Sequence, residues 1–351
     1  MHRISKHIEI VGTTIPGFRS MGRASRQAIF DLLKKHYTRV DITIINELSE
    51  LEALVERRPD LIFLGMKSIP INPELGTQDP DKIWITDYLD QQGIAYTGSN
   101  QLAQELEFDK SLAKQRMDTA EINTSPFYVA VQGEPLTADK IELEYPLFVK
   151  PTNRGGGLGI DSNSVVHTFE ALHAKVQTIA EELQADSLIE QYLPGREFSV
   201  AILREENSLD LTAMPIELVA PADKQGIRIL SEAIKSADAE GFMAITEPML
   251  KAEVEELALD AFRALGGRDY GRIDIRLNKD GAPQFLEANL IPSLIDNYGS
   301  FPKACRLNKA LNYSQMILRI VQLALARHED ALLPQFDSNL LAPLLESIHA
   351  S

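Results

Sequence analysis

Cysteine is almost missing from this chain: Cys305 stands alone among 351 residues. That excludes an intrachain disulfide framework and a thiolate metal site. It leaves Cys305 expected as a small buried apolar residue. Long apolar runs are missing too, and no stretch approaches the length needed to cross a bilayer. The opening Met1-His2-Arg3-Ile4-Ser5-Lys6-His7 leads into a strand-like Ile8-Glu9-Ile10-Val11 without the apolar core of a signal peptide. No membrane partner is therefore expected, and the expected location is cytoplasmic. Excess positive charge is absent as well: 35 Lys and Arg against 51 Asp and Glu give a net charge of -16. A general nucleic-acid binder would need a large basic surface, so none is expected; anionic small molecules would have to meet local basic side chains. The seven histidines are scattered and none shows the His-Glu-x-x-His spacing of a metal site.

What is present is an ordinary globular composition, 44% hydrophobic and 25% charged, which is that of a folded chain and not of a disordered one. The length suits two or three domains. The first hundred residues alternate strands and helices. Strands are expected at 8–11, 40–45, 60–65 and 94–97, and helices at 23–36, 51–57 and 84–92, with Gly93 ending the last. This is a doubly wound α/β pattern. The loop at 12–22 contains glycines but not Gly-x-Gly-x-x-Gly, so no dinucleotide site is expected; it faces a ligand crevice at strand ends. A second unit starts near Ser99, with one helix through 102–117, a buried strand at 146–151 and a helix at 168–183 capped by Thr168. Strands at 188–193 and 197–203 flank Pro194-Gly195. The stretch 220–241 has weak periodicity and reads as a long functional loop. A helix at 253–265 follows. Another at 313–327 places Met316, Ile317, Ile320, Val321 and Ala324 inward. The domains expected are 1–100, 101–193, 194–330 and a tail, 331–351.

The densest chemistry lies in an expected hairpin, 271–277 and 283–290, around Asn278-Lys279-Asp280-Gly281. Strands alternate faces. Ile273, Ile275, Leu277, Leu286, Ala288 and Leu290 would share an apolar face, and Arg272, Asp274, Arg276, Phe285, Glu287 and Asn289 the other. With the turn centred on Lys279-Asp280, Arg272 would lie opposite Glu287. Asp274 would be diagonal to Glu287, roughly 7–8 Å away between backbones. Asp274, Glu287 and Asn289 would then converge as hard oxygen ligands suited to magnesium, which usually arrives with substrate phosphates.

Upstream, Lys150 ends a strand and Gly155-Gly156-Gly157 opens a glycine-rich loop. Such a loop can bring backbone N–H groups to phosphate oxygens while Lys150 neutralises them; a ligand-free glycine hairpin is the alternative. In 190–197, a segment beside an adenine ring could offer backbone groups to its edge. Glu190 and Glu197 could accept from the amino group and the ribose.

In this order, Lys110, Lys150 with its glycine loop, Glu190 to Glu197, and Asp274 to Asn289, the chain resembles the ATP-grasp superfamily and most closely the D-alanine–D-alanine ligase family, over roughly residues 94–325. The stretches that carry the resemblance are Tyr96-Thr97-Gly98-Ser99, Phe108-Asp109-Lys110, Phe148-Val149-Lys150-Pro151, Gly195-Arg196-Glu197, Gly271-Arg272-Ile273-Asp274 and Leu286-Glu287-Ala288-Asn289. The resemblance implies an ATP-grasp fold behind the N-terminal parallel-sheet domain. It implies ATP and two magnesium ions, manganese substituting, and a homodimer by analogy. Lys110, Lys150, Gly156 and Gly157 would hold phosphates; Glu190, Tyr192 and Glu197 would hold the nucleoside. Asp274, Glu287 and Asn289 would bind metal. Arg272, Lys150 and Lys235 would be catalytic. The family reaction activates a carboxylate as an acyl phosphate, which an amine attacks.

The departures cluster in the amino-acid subsites. The family's N-terminal loop carries a glutamate for the first substrate's ammonium; residues 12–25 here contain no acid and offer Arg19 and Arg23. Gly65-Met66-Lys67 replaces an expected histidine-glycine pair, Gly156-Gly157 a serine pair, Ser236 a tyrosine, and Pro292-Ser293 a Pro-Gly. Arg19, Lys67, Ser293 and Ser300 are the expected substrate contacts. They suggest an anionic acceptor joined to an amino acid, mycosporine-glycine being one candidate. A cell-wall D-alanine–D-alanine ligase, a small-molecule kinase and a nucleotide-binding module remain as alternatives.

Overall fold

The structure, a computed structural model, describes residues 2–206, 208–221 and 241–332. Most of the loop expected at 220–241, Lys235 and Ser236 included, lies outside the described residues.

Residues 4–97 form a small parallel α/β unit. Strands β1 (Ile4–Gly12), β2 (Tyr37–Ile44) and β3 (Leu61–Phe63) pair in the order β2-β1-β3. Helices α1 (Arg23–Leu33), α2 (Leu48–Glu56) and α3 (Ile85–Gln92) complete it, and Gly93 ends α3 in the left-handed conformation, φ 64°. A short ribbon, β4 (Ser68–Ile69) with β5 (Ile83–Trp84), precedes α3. The strand expected at 94–97 is reduced to a parallel bridge between Ile62 and Tyr96. The Thr97 N–H still reaches the Ile62 carbonyl at 3.0 Å, but beyond it the Leu64 N–H is taken by the Thr97 hydroxyl, 3.0 Å, in place of a backbone carbonyl.

The helix expected across 102–117 is two helices, α4 (Gln101–Phe108) and α5 (Lys110–Thr119). Asp109 breaks it: its carboxylate accepts from the Ser111 and Leu112 N–H groups and caps α5. An internal cap competes well with helix continuation for an aspartate. Strands β6 (Phe127–Ala130), β7 (Leu147–Pro151), β8 (Val165–Val166) and β9 (Ser187–Gln191) form an antiparallel sheet in the order β6-β9-β7-β8. It is covered by α6 (Phe169–Leu183), whose cap is Thr168.

The third sheet is antiparallel, in the order β12-β11-β10-β13-β14: β10 (Glu197–Arg204), β11 (Leu211–Val219), β12 (Gly241–Met243), β13 (Tyr270–Leu277) and β14 (Pro283–Asn289). Residues 192–196 carry the chain from β9 to β10, that is, from one sheet to another. They pass so close to the hairpin that a Cβ on Gly195 would sit 2.6 Å from the Leu277 carbonyl oxygen. Helix α7 (Pro248–Ala264) packs on one face of this sheet through Val254, Ala258, Ala261 and Phe262. Helices α8 (Ser300–Lys309) and α9 (Tyr313–Leu332) pack on the other. Met316, Ile317, Ile320, Val321 and Ala324 of α9 are all buried, in a core shared with Ile8, Ile10 and Phe63 of the first sheet. Cys305 is fully buried in the same core, and burial pushes its thiol up to about 12.

The β13–β14 register corrects the sequence expectation. Arg272 pairs with Asn289, Asp274 with Glu287 and Ile275 with Phe285, so Leu286 is an extra, bulged residue. Asp274 is therefore directly opposite Glu287, not diagonal to it. A bulge lets two residues on one strand face a single partner. The apolar assignments change accordingly: Phe285 is fully buried in the core with Ile273, Ile275 and Leu277, while Leu286 lines the cavity.

Candidate active site

The two antiparallel sheets and the ends of the parallel strands enclose a cavity of about 840 Å³. Its position follows from the fold. Loops after the C-terminal ends of parallel strands line such crevices, and here Pro16 to Ser20 after β1 and Lys67 after β3 do so. The third sheet contributes Glu197 and Ser199 from β10, Arg272, Asp274 and Arg276 from β13, and Leu286, Glu287 and Asn289 from β14.

On that face the charges interlock. Arg272 Nη2 donates to Asp274 Oδ2 at 2.8 Å, and the Ser199 hydroxyl donates to Asp274 Oδ1 at 2.8 Å. Burial works against the Arg272 charge, but Asp274, Glu287 and Glu107 outweigh it and raise the pKa. Arg276 Nη1 reaches Glu197 at 3.4 Å and its guanidinium lies 5.4 Å from the centre of the Tyr192 ring. Asp274, Glu287 and Asn289 are hard oxygen donors brought together by adjacent ladder positions, and that donor chemistry fits a magnesium ion. The described residues also gather His7, Glu9 and Asp41. There Arg57 Nε sits 2.8 Å from Glu9, and none of the three lines the cavity.

Across the cavity, Lys150 Nζ contacts Glu190 Oε2 at 2.7 Å, and Lys110 Nζ lies 3.9 Å from Glu287. Burial lowers the Lys150 pKa, yet Glu190 and Glu287 overcome it and the net direction is up. Glu190 is buried, which would raise its carboxyl; Lys114 and Lys150 instead pull it down to about 2. Lys110 also donates to the Arg154 carbonyl, 2.6 Å, which ties α5 to the glycine loop.

Lys110, Lys150, Gly156, Glu190, Tyr192, Glu197, Arg272, Asp274, Glu287 and Asn289 all line this one cavity, together with Arg19, Lys67, Ser293 and Ser300. Gly157 lies instead on a separate small cleft beside Asp161 and Lys175, and Arg23 is exposed outside the cavity. Lys235 lies outside the described residues.

Several lining residues escaped sequence reasoning. Glu107, near the end of α4, forms a half-buried ion pair with Lys67. Lys82 lines the mouth with its ammonium 5.7 Å from the Trp84 ring and 5.3 Å from the Phe108 ring. Cation–π contact of this kind holds a charge without neutralising it. No motif signals either residue; both become visible only when the loop after β3 and α4 meet.

Facing antiparallel sheets, with lysines on one and oxygen donors on the other, are how ATP-grasp enzymes are built, and the chain is of that class. Residues 117–322 match the family model described as D-ala D-ala ligase C-terminus. The chain is 30% identical over 240 residues to the D-alanine–D-alanine ligase of Hydrogenovibrio crunogenus, covering 68% of this chain and 72% of that protein. It is 32% identical over 245 residues to the D-alanine–D-alanine ligase of Ralstonia nicotianae, covering 68% and 70%. The crystal structure of the Bacillus anthracis D-alanine–D-alanine ligase complexed with ATP superposes with a TM-score of 0.72 at 21% identity, over 93% of this chain and all of that one. The chain belongs to the D-alanine–D-alanine ligase family.

Proposed function

We propose that this chain is an ATP-dependent carbon–nitrogen ligase that joins an anionic, carboxylate-bearing acceptor to the amine of an amino acid. The observation that carries the reading is the wall at the ends of the parallel strands. Arg19, Lys67 and Lys82 line it with Glu107 as the acid among them, and the loop after β1 brings no carboxylate. Lys67 neutralises Glu107, so the wall keeps a positive balance for an anion.

In this reading Lys110 and Lys150 hold the nucleotide phosphates, with Gly155 and Gly156 closing over them. Glu190, Tyr192 and Glu197 hold the nucleoside, and Leu286 gives its base an apolar floor. Asp274, Glu287 and Asn289 would bind two magnesium ions, which neutralise charge on the transferring phosphoryl group. An acceptor oxygen attacks the terminal phosphorus and ADP leaves. The amine then attacks the activated carbon and phosphate leaves. Arg272, held by Asp274, faces the negative charge that spreads in both steps, and its fixed orientation is the main catalytic contribution expected of it. Lys235 is proposed as a further phosphate contact. Three lobes, 1–100, 101–193 and 194–330, a homodimer and a cytoplasmic location complete the proposal. Among the described residues no helix is long and apolar enough to cross a membrane.

Mycosporine-glycine with an amino acid is the pair we put forward, activation then falling on an enol or ketone oxygen. A second reading, D-alanine–D-alanine ligase, is favoured by the names of the curated relatives. Purified protein with Mg-ATP and D-alanine separates the two. The first reading expects no dipeptide; D-alanyl-D-alanine made at an ordinary turnover overturns it.

A further inference from the structure

One buried cation has no task in the site as described so far. Lys114 lies within α5, its side chain is closed to solvent, and it does not line the cavity. An ammonium carries three N–H donors. Here they meet Thr124 Oγ1 at 2.6 Å, Ser125 Oγ at 2.9 Å and Glu190 Oε1 at 2.8 Å. Burying a lysine is costly unless its charge is paired, and the pairing group is Glu190. That carboxylate is already held from its other oxygen by Lys150 at 2.7 Å. Two ammonium groups therefore share one buried carboxylate, and of the two only Lys150 opens onto the cavity.

The surplus has a physical consequence. Without Lys114, any movement of Lys150 toward a phosphate would leave the buried Glu190 charge with no cation, only the Ser125 hydroxyl at 3.3 Å, a large cost. With Lys114 in place the carboxylate stays paired when Lys150 turns. We propose that Lys114 is a positioning residue: it supplies the standing counter-charge of Glu190 and so releases Lys150 to the nucleotide phosphates. This rests on the nucleotide placement proposed above. Thr124 extends the anchor, because its hydroxyl donates to the Phe285 carbonyl, 3.0 Å, beside the Leu286 bulge.

The test is calorimetric binding of ATP and of adenosine to the full chain in magnesium buffer. The ratio of the two dissociation constants isolates the phosphate contribution, because adenosine has no phosphate. Lys114→Met is expected to shrink that ratio roughly tenfold to a hundredfold, the worth of a charge-assisted contact, with adenosine binding little changed. In a Glu190→Gln background the same substitution is expected to leave the ratio where it was, because no buried charge remains to hold Lys150 back. Should Lys114→Met fail to fold, Glu190→Gln against Lys114→Met/Glu190→Gln carries the test, since the double variant buries neither charge. An unchanged ratio in folded Lys114→Met overturns the proposal, as does a parallel loss of ATP and adenosine binding, which would mean a merely structural role. A falling ratio in the Glu190→Gln background overturns it too, because Lys114 would then act on phosphate independently of Glu190. Wild-type protein that binds no ATP would sink the nucleotide reading itself, a separate and recognisable outcome.

Discussion

Phe285 and Leu286 are chain neighbours with opposite expected sensitivities, and the bulge between β13 and β14 is the reason. Phe285 is fully buried against Ile273, Ile275 and Leu277. Phe285→Ala should cost about 3–5 kcal/mol of stability, the usual range for emptying an aromatic site in a packed core. Leu286 is half-buried on the cavity wall. Leu286→Ala should cost about 1 kcal/mol, since much of the side chain is already open. It should instead weaken nucleotide binding roughly tenfold, because the three carbons removed are only partly covered by the base. Urea unfolding of both variants gives the first quantity and ATP calorimetry the second. A regular ladder with no bulge exchanges the two faces. If Leu286→Ala lost several kcal/mol while Phe285→Ala lost almost none, the bulge and the direct Asp274–Glu287 pairing would both be wrong.

Asp274→Asn and Glu287→Gln should each lower turnover roughly a thousandfold or more while both proteins still unfold cooperatively; a variant that kept turnover would remove its residue from the metal set. Glu190 is held at about 2 in the folded protein against 4.5 as its ordinary value. The folded state thus binds fewer protons than the unfolded one, so this contribution to stability is complete above pH 4.5 and is lost as pH falls toward 2. Urea titrations across that window should show the loss, and Glu190→Gln should flatten it; an equal slope in the variant would contradict the assignment. Asp269 is buried, accepting from the Gly98 N–H at 2.9 Å and from Arg327 Nη2 at 2.9 Å. Asp269→Ala should cost about 1–3 kcal/mol in a denaturant titration, because it leaves the buried Gly98 N–H without its acceptor while Arg327 keeps only the Tyr96 and Gly98 carbonyls; a change below about 0.5 kcal/mol would deny that this pair joins α9 to the loop at 96–99.

Local signals carried much of this architecture. Thr168 as a cap, Gly93 as a stop and the inward stripe of α9 were readable because each depends on near neighbours in sequence. The substitution of Arg19 and Lys67 into the loops after β1 and β3 was equally readable. What was hidden depended on packing between distant segments. Asp109 sat inside an expected continuous helix, and nothing in the periodicity showed that its cap would split α4 from α5. The Leu286 bulge has no glycine to announce it, so strict alternation put Phe285 and Leu286 on the wrong faces. No motif singles out Lys114, and Glu190 was expected only as a contact to an adenine amino group; the meeting of α5 with β9 is what shows that Lys114 and Glu190 are buried partners. Glu107 was missed for a similar reason, since its partner Lys67 is contributed by a different sheet's loop.

A cavity that couples ATP cleavage to carbon–nitrogen bond formation must release ADP only in step with that bond. Purified protein is given Mg-ATP and mycosporine-glycine, then pooled L- and D-amino acids, with product mass measured alongside ADP. Sustained ADP release should begin only when an amino acid is added. One condensed product should form per ADP, with no stable phosphorylated acceptor. Sustained ADP release without any amine, with a phosphorylated acceptor accumulating in step, would make this a kinase built on the same nucleotide site and not a ligase.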